Sequence, residues 1–528
     1  MFAIAILLGI YSYLIFSLGV LGILYKSAII TITIIFTAAS YFYFKKKPED
    51  FPILNLKSKK IRSYLFLFLL LIVVNLIGAL GPEIAFDSLW YHLTLPKIFL
   101  ENHRIDFIPG GLFYYSVMPK LGEMLFIPGL AFGNEIIPKL TQWMFGILTS
   151  IVIYKISRKY FDEKLSIIGA IIFYGSLVVA WESSAAYIDL IRAFFEAMAL
   201  WGFLNWFETK DRKWLIESAI MIGLAISTKL IAVGSLLVFT FLIAYVLFKV
   251  NKLREAVKAI LIYLFAAVFV VLPWFVFAYL ATGNPIYPVL SDFYSLELSW
   301  GLFIPINFIK DFLILFLKSA DPISPIYAMV LPLVFVMLRK FNKEQRIIAI
   351  YCLLAIIVWY LTPRTGGGRF ILPYLPAFSV LIIAVLSNIR QNSLKKYVIF
   401  LVIFVSLITA VYRGIANAKF VPVILGQQTK GEFLTKNLNF KFGDFYDTDG
   451  FFAKTIKSED KVLLYGFHNL YYVNFPFIHE SYVKRGDRFN YIVTQNSEVP
   501  KRFSHWQMIY ENDLTDVKLY WGGMMWTY

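Results

Sequence analysis

Apolar residues occur in long blocks over the first 412 positions of the chain, and short polar segments separate these blocks. A block of about 17 to 25 apolar residues is long enough to cross the hydrocarbon core of a bilayer as a helix. The pattern predicts about thirteen transmembrane helices, and we expect the first to be an anchor rather than a removed signal peptide. The predicted spans are residues 1–24, 27–44, 63–81, 133–154, 166–182, 190–207, 214–228, 231–249, 257–281, 325–338, 347–361, 371–388 and 396–412.

Three apolar stretches fit a simple crossing less well. Segments 214–228 and 325–338 are short, and we interpret them as partial spans that border a polar cavity. The stretch LFIPINFIKDFLILFLKS (302–319) has few charges and is typical of a helix that lies in the membrane interface or re-enters the bilayer.

Lysine and arginine are concentrated in short segments on one side of the predicted spans. The chain has 528 residues, of which 59% are hydrophobic, and a net charge of +16. Short basic loops mark the cytoplasmic side of a membrane protein, so the charge indicates topology and lipid contact rather than nucleic-acid binding. We expect a multi-pass protein of the plasma (inner) membrane with a cytoplasmic N-terminus. The basic segments are residues 45–62, 155–164, 208–213, 249–258, 339–346 and 390–396.

The remaining connections then lie on the external, or periplasmic, face. The first of them, residues 82–132, holds two predicted interfacial helices, from Ser88 to about Glu101 and around 120–130. After residue 420 charged residues become common and short β-rich runs appear, namely KVLLYG, YYVNFPFI, NYIVT and VKLYWGG. The sequence therefore predicts an all-α polytopic membrane domain over 1–420 and a small external α/β domain over 421–528.

Polar groups beside apolar blocks are the candidates for function, because charges at membrane depth are costly unless they are paired or hydrated. Asp87, in GPEIAFDSLWYHLTLPK, precedes a predicted helix, and Tyr91 shares its helical face. Two interpretations are open for Asp87: a helix cap or a reactive carboxylate. Asp189 begins a predicted span, and Arg192 on the same face is its expected partner if the pair is structural.

Three cations on the external side are suited to binding phosphate. Lys229 lies between two spans in an apolar context, and a lysine that merely reaches towards the headgroups is its alternative interpretation. The loop TPRTGGGRF places Arg364 and Arg369 around three glycines, where guanidinium and amide groups can approach phosphate oxygens. A plain flexible turn is the alternative there.

Taken together, these acids and cations share one predicted membrane face. A carboxylate can deprotonate an attacking group while cations neutralise a departing phosphate, which is the chemistry of glycosyl transfer from a lipid-phosphate sugar. The chain has no P-loop or GxGxxG motif. Its single cysteine, Cys352, and five histidines indicate neither a disulfide framework nor a metal cluster.

Several segments resemble the GT-C superfamily of glycosyltransferases. The resemblance is to the bacterial lipid A galacturonosyltransferase-like enzymes and, more distantly, to the aminoarabinose transferases and protein O-mannosyltransferases. The segments that carry it are FDSLWYHLTLPKIFLENHRIDFIP, SVMPKLGEML, AAYIDLIRAFF, GLAISTKL, GNPIYP and GRFILPYLP.

The resemblance implies an inverting enzyme that moves a sugar from a polyprenyl-phosphate donor to a glycan, lipid or protein acceptor on the external face. Asp87 is then the general base, Asp189 a second acidic site residue, and Lys229 and Arg369 phosphate contacts, with Arg364 beside them. The cavity-shaping residues are Tyr91, His92, Lys97 and Glu123.

One departure from the family concerns the acids of the first external segment. Many relatives carry two adjacent acids there, whereas this chain has Phe86-Asp87-Ser88, with Glu83 four residues back. The lone acid leaves a divalent metal possible but unsupported, and we expect no cofactor.

Two other classes of protein remain open. A transporter or flippase of lipid-linked saccharides needs the same cations but no external base, and it often shows repeated halves, which this sequence lacks. A structural membrane protein would simply pair these polar residues with one another.

Overall fold

The protein was analysed as a computed structural model that describes residues 1–48, 57–294, 300–317, 321–362 and 367–528. The part before residue 420 is helical, as predicted. Its α-helices are α1 (Phe2–Val20), α2 (Lys26–Lys46), α3 (Lys59–Leu80), α4 (Thr94–Glu101), α5 (Leu121–Ala131), α6 (Ile136–Tyr160), α7 (Glu163–Tyr174), α8 (Leu177–Glu182), α9 (Asp189–Thr209), α10 (Arg212–Thr228), α11 (Val233–Phe248), α12 (Leu253–Thr282), α13 (Pro305–Leu317), α14 (Pro325–Val330), α15 (Leu333–Met337), α16 (Lys343–Leu361), α17 (Leu375–Asn388) and α18 (Asn392–Ala418).

Shorter helical turns join these elements. The π-helical turn is Ser88–His92, and the 3₁₀ turns of this part are Tyr114–Val117, Leu230–Ala232, Trp300–Phe303, Gly368–Phe370 and Leu372–Tyr374.

All thirteen predicted spans correspond to helices. Within the described residues, eight helices are long and apolar enough to cross a membrane unaided: α1, α2, α3, α6, α11 with its preceding turn, α12, α16 and α18. The protein is therefore a multi-pass membrane protein, although five of its thirteen predicted spans differ from single apolar crossings.

Those five spans are interrupted, short or charged, each for a local reason. The segment 166–182 is divided into α7 and α8 at Gly175, and 325–338 into α14 and α15, with Pro332 before the second helix. Helix α10 has 17 residues, and α17 has 14 after two 3₁₀ turns. Helix α9 is long enough, but it carries Asp189, Arg192 and Glu196 on buried positions. The irregular spans thus include the one that carries the buried charged side chains Asp189, Arg192 and Glu196.

Helix α9 extends from the buried acid Asp189 at one end to the basic segment 155–164 at the other. It has 21 residues, which correspond to a length of about 30 Å, and Asp189 is its first residue. Near its other end Glu208 forms an ion pair with Lys159, at 2.6 Å, in the basic segment 155–164. The basic loops and Asp189 therefore lie at opposite ends of the helices, about one bilayer core apart.

The segment 82–132, which was predicted to be external, contains two helices, as predicted. The first of them is not continuous from Ser88 to Glu101. A π-helical turn, Ser88–His92, follows Asp87, and α4 begins only at Thr94. Helix α5 covers Leu121–Ala131, close to the predicted 120–130. The extra residue of the π-turn changes the direction in which later side chains point.

The C-terminal part forms a small domain built on a five-stranded mixed sheet. The strands occur in the order β2-β1-β3-β5-β4, and β1 is parallel to both β2 and β3. Strand β4 was not predicted from the sequence, and only the end of the run YYVNFPFI is a strand. The elements are α19 (Val421–Ile424), α20 (Lys430–Asn437), α21 (Phe451–Thr455), β1 (Val462–Tyr465), β2 (Phe477–His479), β3 (Arg488–Gln495), β4 (Gln507–Asn512) and β5 (Val517–Thr527), with 3₁₀ turns at Phe440–Phe442 and Lys501–Phe503.

This domain is joined to the first external segment by lysine and tyrosine side chains. The Lys97 ammonium donates to the carbonyls of Tyr471 and Val473, at 2.9 and 2.6 Å, and to the Asn474 side chain at 3.0 Å. The Tyr472 hydroxyl donates to the carbonyl of Glu83 at 2.8 Å. The segment around 471–474 is therefore fixed directly behind the stretch that carries Asp87.

A buried histidine makes the stability of this domain sensitive to acid. Burial lowers the pKa of His479 from 6.5 to about 4 and outweighs the opposing effect of its Nε2–H, which donates to the Phe467 carbonyl. The unfolded chain binds this proton more readily, so stability is lost as pH falls from 6.5 towards 4, by about 3 kcal/mol in total. We expect thermal melts of the purified protein to show this loss, and the His479→Gln variant to flatten it. The matched control, His505→Gln at an exposed position, should leave the pH dependence unchanged.

Candidate active site

Arg369 lies at the centre of a cluster of carboxyl groups. Its Nη1 is 2.8 Å from Asp87 Oδ2, its Nη2 is 3.5 Å from Asp189 Oδ2, and its Nε is 3.5 Å from Glu182 Oε1. The guanidinium also lies over the ring of Tyr187, at 4.3 Å from the ring centre. Two segments that are distant in sequence, one at Asp87 and one over residues 182–189, thus converge on one arginine.

Lys229 is the second cation of the cluster. Its ammonium donates to Asp189 Oδ1 at 2.6 Å and lies 5.5 Å from the ring centre of Phe370. Asp189 therefore bridges Lys229 and Arg369 with its two oxygens. Sequence reasoning placed these three residues and Asp87 on one face of the membrane, and the structure brings their side chains together.

Exposure divides the cluster into two layers. The side chains of Asp87, Arg369 and Lys229 are 17–18% exposed, whereas those of Asp189 and Glu182 are at most 1% exposed. A ligand can therefore reach one carboxylate and two cations, while the buried carboxyl groups hold those cations in place.

Local structure explains how each of these groups is positioned. Asp189 is the first residue of α9 and Lys229 the residue that ends α10, so each lies at the helix end that favours its charge. The backbone N–H of Arg369 donates to Asp321 Oδ2 at 2.9 Å, in a 3₁₀ turn after a glycine loop. The backbone N–H of Asp87 donates to the Tyr187 hydroxyl at 3.2 Å. These groups come from five different connections at the same end of the helices.

The ionisation of Arg369 and Tyr91 follows from burial and from neighbouring charges. Burial disfavours the charged guanidinium, but the Asp189 and Asp87 carboxylates outweigh it and raise the pKa of Arg369. Burial and the Asp87 charge both raise the pKa of Tyr91 well above its ordinary value. The Tyr91 hydroxyl therefore stays protonated and donates to Asp87 Oδ2, at 3.4 Å.

Behind Tyr91 lies a buried polar group formed by His92, Glu123 and Lys120. His92 Nδ1 is 2.8 Å from Glu123 Oε1, and the Lys120 ammonium is 3.8 Å from the same oxygen. Burial lowers the pKa of His92, so the imidazole is neutral and donates to the carboxylate. His92 and Glu123 thus support the wall of the site, next to the residue that contacts Asp87, without being open to a ligand.

The structure decides between interpretations that the sequence left open for Asp87 and Asp189. Asp87 makes no capping hydrogen bond, because its carboxylate is turned to Arg369. Arg192 pairs with Glu196 Oε1 through its Nε at 2.6 Å, four residues along the same helix, rather than with Asp189. Lys97 donates to carbonyls of the C-terminal domain, and its role in shaping the cavity stays a prediction.

Arg364, the third predicted phosphate contact, lies outside the described residues. Two site residues were not predicted in their roles. Tyr187 has no charge to mark it, and Glu182 is the last residue of the predicted span 166–182. Tyr187 lies two positions before Asp189 in the connection that follows α8, and this position was the available sequence signal for Tyr187.

The carboxyl groups were also considered as ligands of a metal ion. Asp87, Asp189 and Glu182 are each directed at Arg369, and within the described part of the chain no group of three or more His, Cys, Asp or Glu side chains is arranged to hold a metal. No step of the reaction is therefore assigned to a metal ion, and activity without a metal ion stays a prediction.

Comparison with known proteins identifies the fold. The sequence model described as dolichyl-phosphate-mannose-protein mannosyltransferase matches residues 132–277. No curated protein matches this chain in sequence. ArnT from Cupriavidus metallidurans, solved with bound undecaprenyl phosphate, aligns with a TM-score of 0.57 and 13% identity over 87% of this chain and 98% of ArnT. The apo form of ArnT aligns with a TM-score of 0.54 and 14% identity over the same shares. The chain therefore has the fold of ArnT, and the predicted helical membrane domain with a small C-terminal α/β domain is confirmed.

Proposed function

We propose that this protein is an inverting glycosyltransferase that moves a sugar from a polyprenyl-phosphate donor to an acceptor on the external face of the membrane. The observation that carries the proposal is the cluster in which Arg369 and Lys229, both reachable, lie beside the reachable carboxylate of Asp87. The donor class is supported by the fold shared with ArnT, which was solved with undecaprenyl phosphate, and by the match to a dolichyl-phosphate-mannose family.

The donor phosphate is proposed to bind between Arg369 and Lys229. A guanidinium fork suits two phosphate oxygens, and the Lys229 ammonium adds a second charge. Arg369 already contacts Asp87 at 2.8 Å, so a phosphate must take over that contact. The exchange leaves Asp87 without its cation, and a carboxylate without a cationic partner is a stronger base. Donor binding therefore prepares the base for the acceptor.

The sugar is then transferred in a single displacement at its anomeric carbon. The acceptor hydroxyl gives its proton to an Asp87 carboxylate oxygen while its own oxygen forms a bond to the anomeric carbon of the donor sugar. The bond between that carbon and the phosphate oxygen breaks, and its electron pair stays on the polyprenyl phosphate. Arg369 and Lys229 stabilise the second negative charge that the phosphate gains. Asp189 positions both cations and takes no proton.

The basic loops support the proposed orientation in the membrane. Lys159 and its neighbours lie about 30 Å from Asp189, at the other end of α9. With the basic side in the cytoplasm, as we propose, the cluster and the C-terminal domain face the outside. In a bacterium with two membranes the proposed reaction then occurs on the periplasmic face of the inner membrane.

The test uses the purified protein in lipid vesicles. Polyprenyl-phosphate-linked mannose, aminoarabinose and galacturonic acid are supplied in turn with an extract of envelope glycolipids as the acceptor. We expect one of these sugars to appear on the acceptor, with one polyprenyl phosphate formed per sugar transferred. A transporter would instead carry the lipid-linked sugar across the vesicle without breaking its phosphate bond, and that result would refute the proposal.

A further inference from the structure

A row of aromatic side chains leads away from Asp87. The ring of Phe86 is stacked on His468, with centroids 4.8 Å apart and an interplanar angle of 25°. His468 contacts Trp90 at 4.4 Å, and Trp90 contacts Tyr115 edge-on at 5.2 Å. We call these four side chains, Phe86, Trp90, Tyr115 and His468, the aromatic ledge.

The ledge packs against the core on one side and is partly exposed on the other. Trp90, Tyr115 and His468 are half-buried, and Phe86 is 39% exposed. The aromatic belts of membrane proteins place Trp and Tyr rings at the level of the lipid headgroups. Here the four rings touch one another, and His468 comes from the C-terminal domain. A lipid-facing belt therefore does not explain the arrangement.

The ledge begins at the proposed base. Phe86 is the residue next to Asp87, and Tyr115 is stacked on Tyr91 with centroids 4.6 Å apart. Tyr91 in turn donates its hydroxyl to Asp87. The ledge thus approaches Asp87 through Tyr91, whereas Arg369 approaches it over the ring of Tyr187. The acceptor side and the phosphate side of Asp87 are formed by different residues.

Contacts between the two parts of the protein fix the shape of the ledge. The backbone N–H of Tyr471 donates to the Leu89 carbonyl at 3.3 Å, between the two segments that carry Trp90 and His468. The Trp90 indole N–H donates to the Leu112 carbonyl at 3.0 Å. His468 is oriented by a contact of its Nδ1 with the Asn469 side chain at 3.1 Å. The rings are therefore held in place before a ligand arrives.

We propose that the ledge binds the acceptor, and that the acceptor is a carbohydrate. A pyranose ring has an apolar face of C–H groups that packs on aromatic rings, and a polar edge of hydroxyls that needs hydrogen-bond partners. The ledge offers the ring faces, and the side chains of Tyr115, His468 and Asp87 offer polar atoms beside them. A sugar lying on Trp90 and Phe86 presents a hydroxyl to Asp87. This inference rests on the proposed function and names the substrate class of its acceptor.

The test separates recognition of the acceptor from recognition of the donor. The acceptors are intact envelope glycolipid, the lipid-free oligosaccharide released from it, and a sugar-free mixture of phospholipid and peptide. We expect the wild-type protein to use both sugar-containing acceptors and not the third. In Trp90→Leu and Phe86→Leu the KM for the oligosaccharide should rise about tenfold, because one aromatic contact is lost, while the KM for the donor stays within twofold.

Phe132→Leu is the matched control, since Phe132 is also exposed in the same segment and the Lys26 ammonium lies over its ring, away from the ledge. It should leave both KM values unchanged. Phe86→Leu guards against misfolding, because that side chain is partly exposed and leucine keeps an apolar group there. Transfer to the sugar-free mixture, or an unchanged acceptor KM in both ledge variants, would overturn the ledge while leaving the proposed function standing. Failure to release polyprenyl phosphate with every acceptor would overturn the function and the ledge together.

Discussion

Replacing Arg369 with lysine should lower kcat/KM for the donor by about 10² to 10³, the effect expected when a preorganised donor to a developing charge is lost. Lysine keeps the charge, but it lacks the fork that contacts Asp87, Asp189 and Glu182 at once. Arg369→Ala should lower both kcat/KM and stability further, because three carboxyl groups then face one another with Lys229 as their nearest cation. Removing one partner of a buried ion pair destabilises a protein by about 3 to 5 kcal/mol.

The measurement is donor-dependent release of polyprenyl phosphate, together with a thermal melt in detergent. Arg158→Lys is the matched control, since Arg158 lies at the far end of α6, where its guanidinium contacts the Phe161 carbonyl. That control should retain wild-type rate and stability. If Arg369→Lys also retained wild-type rate, the guanidinium would have no part in binding the donor.

Asp87→Asn should lower kcat by about 10² to 10⁴, the range expected when a general base is removed. Asparagine has nearly the same shape, and its amide oxygen still accepts from Tyr91 and Arg369, so the fold is expected to survive. The amide cannot take the proton of the acceptor, however. The KM for the donor should not rise, because the phosphate no longer competes with a carboxylate for Arg369.

The control for Asp87→Asn is Asp106→Asn in the same external segment, where the carboxylate pairs with the exposed Arg104 at 2.7 Å. A surface pair of this kind contributes little, so the rate should not change. A near-normal turnover in Asp87→Asn would show that another group accepts the proton, and the assignment of the base would be wrong.

The charged residues of the site could be recognised from the sequence because their surroundings are apolar. Asp87, Asp189, Lys229 and Arg369 each follow or begin an apolar block, and the basic loops assign them to the same side of the membrane. Charges in such positions are rare and need partners. The topology of the spans was therefore enough to bring these four groups to one face.

The partners of these groups were not predictable from the sequence. Arg192 can reach an acid three residues before it or four residues after it, and the helix geometry alone does not choose between Asp189 and Glu196. The convergence of Asp87, Glu182 and Asp189 on Arg369 depends on packing between spans that are up to 282 positions apart in the chain. No local pattern encodes such a contact.

Lys97 and His468 illustrate two other limits. Lys97 follows a π-turn that has no clear sequence signal, and its ammonium contacts the Tyr471 carbonyl, 374 positions along the chain. His468 reaches the site from the C-terminal domain, where its segment reads as an ordinary connection between strands. A residue that a second domain contributes to a site can be identified only from the structure.

Arg369 is proposed to exchange Asp87 for the donor phosphate, and the affinity of the protein for polyprenyl phosphate measures this exchange. Binding of undecaprenyl phosphate to the purified protein is measured for wild type, Asp87→Asn and Arg369→Lys by native mass spectrometry. We expect Asp87→Asn to bind it more tightly than wild type although its turnover is lost, and Arg369→Lys to bind it more weakly. Weaker or unchanged binding in Asp87→Asn would contradict competition between Asp87 and the phosphate for Arg369.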